Sequence, residues 1–285
     1  VWRGPVPDGW HAGELGPLVH STQPHIARFG APAAAPDGPP VTVVIPTHRW
    51  VPRALPVLRV QSGDTRVLVV SNGGGPEVVA GARVWRTTWT GHADTRRRAL
   101  EQVDTPLVMM MSDDAIPLGR GFVGTMVAAL GGADAVVARQ VPWPTATPRT
   151  RAAIRRWTPT GRRTLPHADH VATLYRTADL RRWATHDVPI AEDLVWTRGR
   201  RVVLAGGAPV LHSHPPHVRA DFHRRRAEHA VRARVGASLP VPGIRAALGA
   251  APGMVAGAAG VHDALHQLAE LAGMALGARA GRLSG

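Results

Sequence analysis

A few places in this 285-residue chain carry side chains whose types and spacing could do chemistry. Asp113 and Asp114 are adjacent carboxylates closing the apolar run Val-Met-Met-Met (108–111). Like charges this close raise one another's pKa unless a cation is present. Oxygen ligands suit Mg²⁺ or Mn²⁺, and either ion could bridge such a pair to a diphosphate. The competing role is a helix N-cap, where Asp accepts backbone N–H bonds. Glu192 and Asp193 form a second pair, fit for general-base work or for the first turn of a helix. His212 and His214 flank Ser213. Alternation along a strand predicts that their imidazoles point to opposite faces, so that only one enters a given site. Pro46-Thr47 and Ser71-Asn72-Gly73 are polar breaks after apolar runs, and Arg96, Arg97 and Arg98 stand in a row. Two of those three guanidiniums are expected on a solvated face.

The elements that must position these groups follow from the apolar pattern. Residues 41–47 (Val-Thr-Val-Val-Ile-Pro-Thr), 66–70 and 106–111 read as buried strands, with a short strand at 82–85 and others at 135–140, 202–204 and 210–212. Helices are expected at 51–60, 91–103, 121–130, 178–185 and 192–198. Residues 141–170 hold five prolines and no clear period, so they are expected to form a variable loop region. Strands alternating with helices at this spacing predict an α/β fold with a mostly parallel sheet covered on both faces. In such sheets ligands bind beyond the carboxyl ends of the strands. Thr47, Asn72, Asp114 and His212 all fall at ends of that kind.

Composition narrows the classes. There is no cysteine, which excludes a disulfide scaffold, a thiolate zinc site and a cysteine nucleophile. The 34 basic residues are all Arg and outnumber 20 acidic ones, giving +14. A single Asn (Asn72) and a single Tyr (Tyr175) accompany abundant Ala, Gly, Pro and Arg, a skew that resembles G+C-rich coding. Part of the charge therefore reflects codon bias; the remainder favours anionic partners. The stretch 246–261 lacks charge but contains Pro252 and four glycines, and is shorter than the roughly 20 apolar residues of a spanning helix. The first thirty residues lack a basic start followed by an apolar run, so no signal peptide is expected.

Taken in order, the motifs are more specific than their parts. Val-Thr-Val-Val-Ile-Pro-Thr, Leu-Val-Val-Ser-Asn-Gly, Gly91 with Arg97 on a helix, Met-Ser-Asp-Asp-Ala-Ile-Pro, Ala-Glu-Asp-Leu-Val-Trp-Thr-Arg and Val-Leu-His-Ser-His together resemble the family 2 inverting glycosyltransferases. The likeness runs over about residues 41–235, and the His-Ser-His before an Arg-rich helix is most similar to the rhamnosyltransferase-type members.

The resemblance implies a glycosyltransferase A-type fold, a nucleoside-diphosphate sugar donor and a divalent metal, Mn²⁺ or Mg²⁺. It implies Pro46, Thr47 and Asn72 beside the nucleotide and Arg97 beside its base or diphosphate. The family's Asp-x-Asp falls on Ser112-Asp113-Asp114, so its first acidic position is Ser here. Asp114 is then the metal ligand, with Asp113 as substitute and donor-side neighbour. His212 completes the metal site, with His214 as the alternative. Asp193 is the implied general base, with Glu192 beside it. A catalytically silent sugar-nucleotide-binding relative is the alternative that Ser112 keeps open.

A nucleic-acid binder, argued from the Arg-rich segment 219–234, lacks the aromatic platforms and zinc motifs it would need, so no nucleic-acid partner is expected. A sugar-nucleotide pyrophosphorylase would open with a Gly-rich loop and a Lys, which do not follow the first strand. Three regions are expected: an irregular lead-in at 1–40, a catalytic domain at 41–235 and a helical tail at 236–285. In the tail, Gly249, Gly253 and Gly257 recur every four residues and could let helices approach closely. A cytoplasmic protein is expected, with peripheral contact at the inner membrane face permitted by the tail. The acceptor, a glycan, lipid-linked or small molecule, is open.

Overall fold

The computed structural model describes residues 38–158, 164–184, 188–214, 217–236 and 261–283. Most of the expected lead-in and the Gly249, Gly253 and Gly257 series lie outside the described residues.

The elements run β1 (Val41–Thr47), α1 (Leu55–Leu58), β2 (Thr65–Asn72), β3 (Arg83–Thr87), α2 (His92–Ala99), β4 (Leu107–Met111), β5 (Ile116–Pro117), α3 (Phe122–Leu130) and β6 (Ala135–Val141). They continue as α4 (Pro148–Trp157), β7 (Thr164–Leu165), β8 (Ala172–Arg176), α5 (Thr177–Trp183), α6 (Glu192–Thr197), β9 (Val202–Leu211), α7 (Val218–Arg234) and α8 (Val261–Leu283). One sheet holds all nine strands in the order β3-β2-β1-β4-β8-β6-β9-β5, with β7 on β9.

The sheet is parallel from β3 to β4 and mixed beyond. Strand β8 pairs antiparallel with both β4 and β6, and β5 and β7 pair antiparallel with β9. The expectation of a mostly parallel sheet therefore holds for one half only. Strand β4 shows why its sequence is apolar at every position. Leu107, Met109 and Met111 enter the core on one face, and Val108 and Met110 enter the core on the other. A strand covered on both faces has no solvent side on which to place polar residues.

The expected loop at 141–170 contains α4. Thr147 caps it by accepting a hydrogen bond from the Thr150 N–H, and Pro148 occupies the first turn. Proline there sacrifices no intrahelical bond, so it starts this helix rather than breaking it. The two strands expected at 202–204 and 210–212 are a single strand, β9, whose register against β6 shifts between Ala138 and Arg139.

The tail helix α8 packs along α7. Gly273, Gly277 and Gly281 face the backbone carbonyls of Phe222, Arg226 and Ala230 so closely that a Cβ at any of the three would collide. Close approach through glycines every four residues is thus present, at a set of glycines different from the one singled out in the sequence.

Candidate active site

The pairing of β5 with β9 builds the first part of the site. Ile116 lies opposite Leu211 in an antiparallel register. Extending that register brings the residues just before Ile116 against those just after Leu211. Asp114 and His212 meet for this reason, across almost a hundred residues of chain. His212 Nε2 lies 3.7 Å from Asp114 Oδ1, and His214 Nδ1 lies 3.4 Å from Asp114 Oδ2. The two imidazoles meet edge to face, 4.7 Å between centroids.

Both histidines therefore face Asp114, which corrects the expectation that only one could. Strand β9 ends at Leu211, and the alternation rule ends with it. Past that point the chain turns so that 212 and 214 converge.

A polar chain behind the ring fixes His212. Its Nδ1 lies 3.1 Å from Gln140 Oε1, and Gln140 Nε2 donates to Asp169 Oδ2 at 2.8 Å. Trp157 Nε1 donates to that same oxygen at 2.6 Å. This network assigns the proton to Nδ1 of His212 and leaves the Nε2 lone pair facing Asp114. Burial pushes the His212 imidazole down to about 4, although Asp114 works the other way, and burial likewise lowers His214. Both rings are then neutral at pH 7, the form that ligates metal. Asp114, His212 and His214 each offer one ligand atom, all within 4.8 Å of one another. One carboxylate and two imidazoles form a donor set suited to a first-row divalent ion such as Mn²⁺.

Asp113 turns away from this cluster. Its carboxyl lies beside the Thr47 hydroxyl at the end of β1, and burial raises its pKa, helped by the charge of Asp114. Ser112, in the place of a first carboxylate, donates its hydroxyl to the backbone oxygen of His170 at 3.3 Å. Pro46 is partly exposed at the same strand end. Asn72 is buried at the end of β2, and its Oδ1 has no hydrogen-bond partner among the described residues. Such an acceptor calls for a donor from outside.

The second part of the site surrounds α6. Ala191, just before it, takes φ 61, the single non-glycine residue at positive φ among those described. That turn sends the next two side chains in different directions. Glu192 goes inward, where its Oε1 accepts from Arg96 Nη1 at 2.7 Å and lies 3.1 Å from His170 Nδ1. Burial opposes its charge, but Arg96 and His170 together hold the Glu192 carboxyl well below the usual range.

Asp193 stays partly exposed. Its Oδ2 accepts the His170 N–H at 3.1 Å and its Oδ1 accepts the Leu194 N–H at 2.8 Å. Burial raises its pKa, and the neighbouring charge of Glu192 raises it further. Of the two acids, Asp193 is the one that can hold a proton.

Arg97, expected by the nucleotide, instead lies on the exposed side of α2 and pairs with Asp94. The inward guanidinium of the three is Arg96, which the sequence did not single out. His170, Gln140 and Asp169 were also missed. For His170 and Asp169 the signal was the titratable run His167-Ala168-Asp169-His170 directly ahead of β8; Gln140 carried none.

No protein-family model matches this chain, and no curated protein matches it in sequence. Solved structures do match it in shape. The mannosyltransferase PcManGT from Pyrobaculum calidifontis, solved with GDP-Man and Mn²⁺, aligns over 94% of this chain and 83% of its own, at 17% identity and a TM-score of 0.50. GalNAc-T7, solved with UDP, GalNAc and Mn²⁺, aligns over 83% of this chain and 62% of its own, at 10% identity and a TM-score of 0.51. The fold is that of the A-type glycosyltransferases. TarS of S. aureus, in its 1–349 form, aligns over 70% of this chain and 67% of its own, at 14% identity and a TM-score of 0.50. On this A-type fold, the Asp114 cluster and Asp193 belong to the edge where the strands end.

Proposed function

We propose that this protein is a metal-dependent inverting glycosyltransferase, related to family 2, that moves a sugar from a nucleoside diphosphate to an acceptor hydroxyl. The observation that carries the reading is the convergence of Asp114, His212 and His214 at the strand ends of an A-type fold. Ser112 removes a carboxylate from the family's motif, and His214 makes good the missing ligand. That replacement is the argument for an active enzyme over a silent relative.

Asp114, His212 and His214 would hold a divalent ion, which would supply positive charge against the departing diphosphate. Asn72 and Thr47 line the nucleotide side, where the free Oδ1 of Asn72 accepts a donor from the base or ribose. Asp193 takes the proton of the acceptor hydroxyl. The acceptor oxygen bonds to the anomeric carbon as the bond from that carbon to the diphosphate oxygen breaks, and its electron pair leaves on the diphosphate. The raised pKa of Asp193 suits it to accept a proton near neutrality. Glu192 does not touch the acceptor in this scheme; it holds Arg96 and His170, and through His170 it positions Asp193.

The test is a thermal-shift panel of nucleoside diphosphates and their sugars, with and without Mn²⁺. A ligand at a hundred times its Kd raises stability by about 2.7 kcal/mol. A panel in which Mn²⁺ changes no nucleotide's effect refutes the metal-dependent reading. Among the described residues no helix is long and apolar enough to cross a membrane. We place the protein in the cytoplasm, with peripheral contact at the inner membrane face if the acceptor is lipid-linked.

A further inference from the structure

Helix α7 carries a guanidinium, that of Arg232, that makes no salt bridge among the described residues. Arg232 is half-buried, and its Nε is buried without a hydrogen-bond partner among the described residues. Its one hydrogen-bond partner there is His167, with Arg232 Nη2 lying 3.4 Å from His167 Nε2. His167 Nδ1 bonds the Ala168 carbonyl at 2.8 Å, so the proton sits on Nδ1 and Nε2 is a bare lone pair. A neutral imidazole orients the guanidinium without cancelling its charge. The nearby acid on the same helix, Glu228, is engaged at 3.1 Å by Arg225.

The position of this cation matters. Arg232 feels the charges of Glu228 and, more weakly, Asp193, and His167 stands three residues from the His170 N–H that holds Asp193. The metal cluster is reached from the other end of α7, through His214. Arg232 thus stands on the base's side of the cleft. A partly buried guanidinium with an unpartnered Nε and no salt bridge among the described residues gains from an anion that completes it, and its planar fork matches phosphate or carboxylate.

We propose that Arg232 is the anion receptor of the acceptor subsite, and that the acceptor bears a phosphate or carboxylate group near the hydroxyl that is glycosylated. The proposal rests on Asp193 being the base; the anion-binding measurement does not. A charged group on the acceptor also fits the protein's excess of 34 basic over 20 acidic residues, since it would steer such a substrate inward.

The experiment titrates the full chain, without donor or turnover, with glucose 6-phosphate, glucuronate and glucose at about 0.1 M salt. These probes share the sugar and differ in charge. The expected result is that at least one charged probe binds about tenfold or more tightly than glucose, the size of a charge-assisted contact. Which charged probe wins distinguishes phosphate from carboxylate. Arg232→Gln should erase the preference, Arg232→Lys should keep part of it, and both should leave nucleoside diphosphate affinity unchanged. Equal binding of charged and neutral probes overturns the proposal, as does a preference that survives Arg232→Gln. A parallel loss of nucleoside diphosphate affinity also overturns it, by moving Arg232 to the donor side. Asp193→Asn, assayed for transfer, tests the catalytic reading separately.

Discussion

Glu192 and Arg96 are 4% and 10% exposed at their side chains and meet at 2.7 Å, ninety-six residues apart in sequence. Removing one member of such a pair strands the other. The Nε of Arg96 already lacks a partner, so Glu192→Gln leaves a buried guanidinium with a weak neutral acceptor and His170. Breaking a buried pair from one side costs roughly 3–5 kcal/mol, and the isosteric Gln places this variant at the lower end. For a chain of this size each kcal/mol moves Tm by about 2–4 °C, so a fall of roughly 6–12 °C is expected. Arg96→Met together with Glu192→Gln should recover much of that loss, because neither charge is left behind. The contribution is fully present above the ordinary Glu range of about 4.3 and is lost only as pH falls through the depressed folded value. The assay is thermal and denaturant unfolding of the wild type, both single variants and the double variant near pH 7. A Glu192→Gln melting point within about 2 °C of wild type, or additive single losses, would refute the buried-pair account.

Asp193→Asn should lower single-turnover transfer by roughly 10²–10⁴ with donor affinity unchanged. Because folding raises the Asp193 pKa from 3.8 to about 6, wild-type stability should carry a component that falls as pH rises across that window and that Asp193→Asn lacks; an unchanged pH slope of Tm would contradict that sign. Asp114→Ala, His212→Ala and His214→Ala should each remove the Mn²⁺-dependent rise in Tm, whereas Asp113→Ala should retain it. Retention of that rise by His214→Ala would return this residue to a structural role. Gly277→Ala drives a Cβ into the Arg226 carbonyl and should cost about 1–3 kcal/mol, measured by denaturation, while Leu276→Ala on the exposed side should be near neutral.

Strands β1, β2 and β4 of the parallel half were legible because their central residues are buried on both faces and read as apolar runs. Strand β8 was not, because Ala-Thr-Leu-Tyr-Arg is short and mixed, and its burial comes from β4 and β6 on either side. Asp114, Asp193 and His212 were legible as polar groups at strand and helix ends, where the structure has them. Which arginine of 96–98 turns inward was not, since consecutive helical residues differ by about 100° and the choice is made by Glu192 far away in sequence. The convergence of His214 on Asp114 escapes the alternation rule for a related reason: β9 ends at Leu211, three residues earlier.

Helix α7 links the two halves of the site to the tail. It begins beside the metal cluster, where Asp221 accepts the His217 N–H at 2.9 Å and pairs with both Arg224 and His266 of α8. About three turns further on it presents Arg232 to the Asp193 side. The glycine seam to α8 leaves no room for α7 to slide, because each glycine abuts a backbone carbonyl rather than a movable side chain. A helix locked in that way fixes where Arg224, at the His212 end, and Arg232, at the Asp193 end, stand. Under the proposed function, loosening the seam at Gly277 should therefore disturb anion binding at Arg232 along with stability.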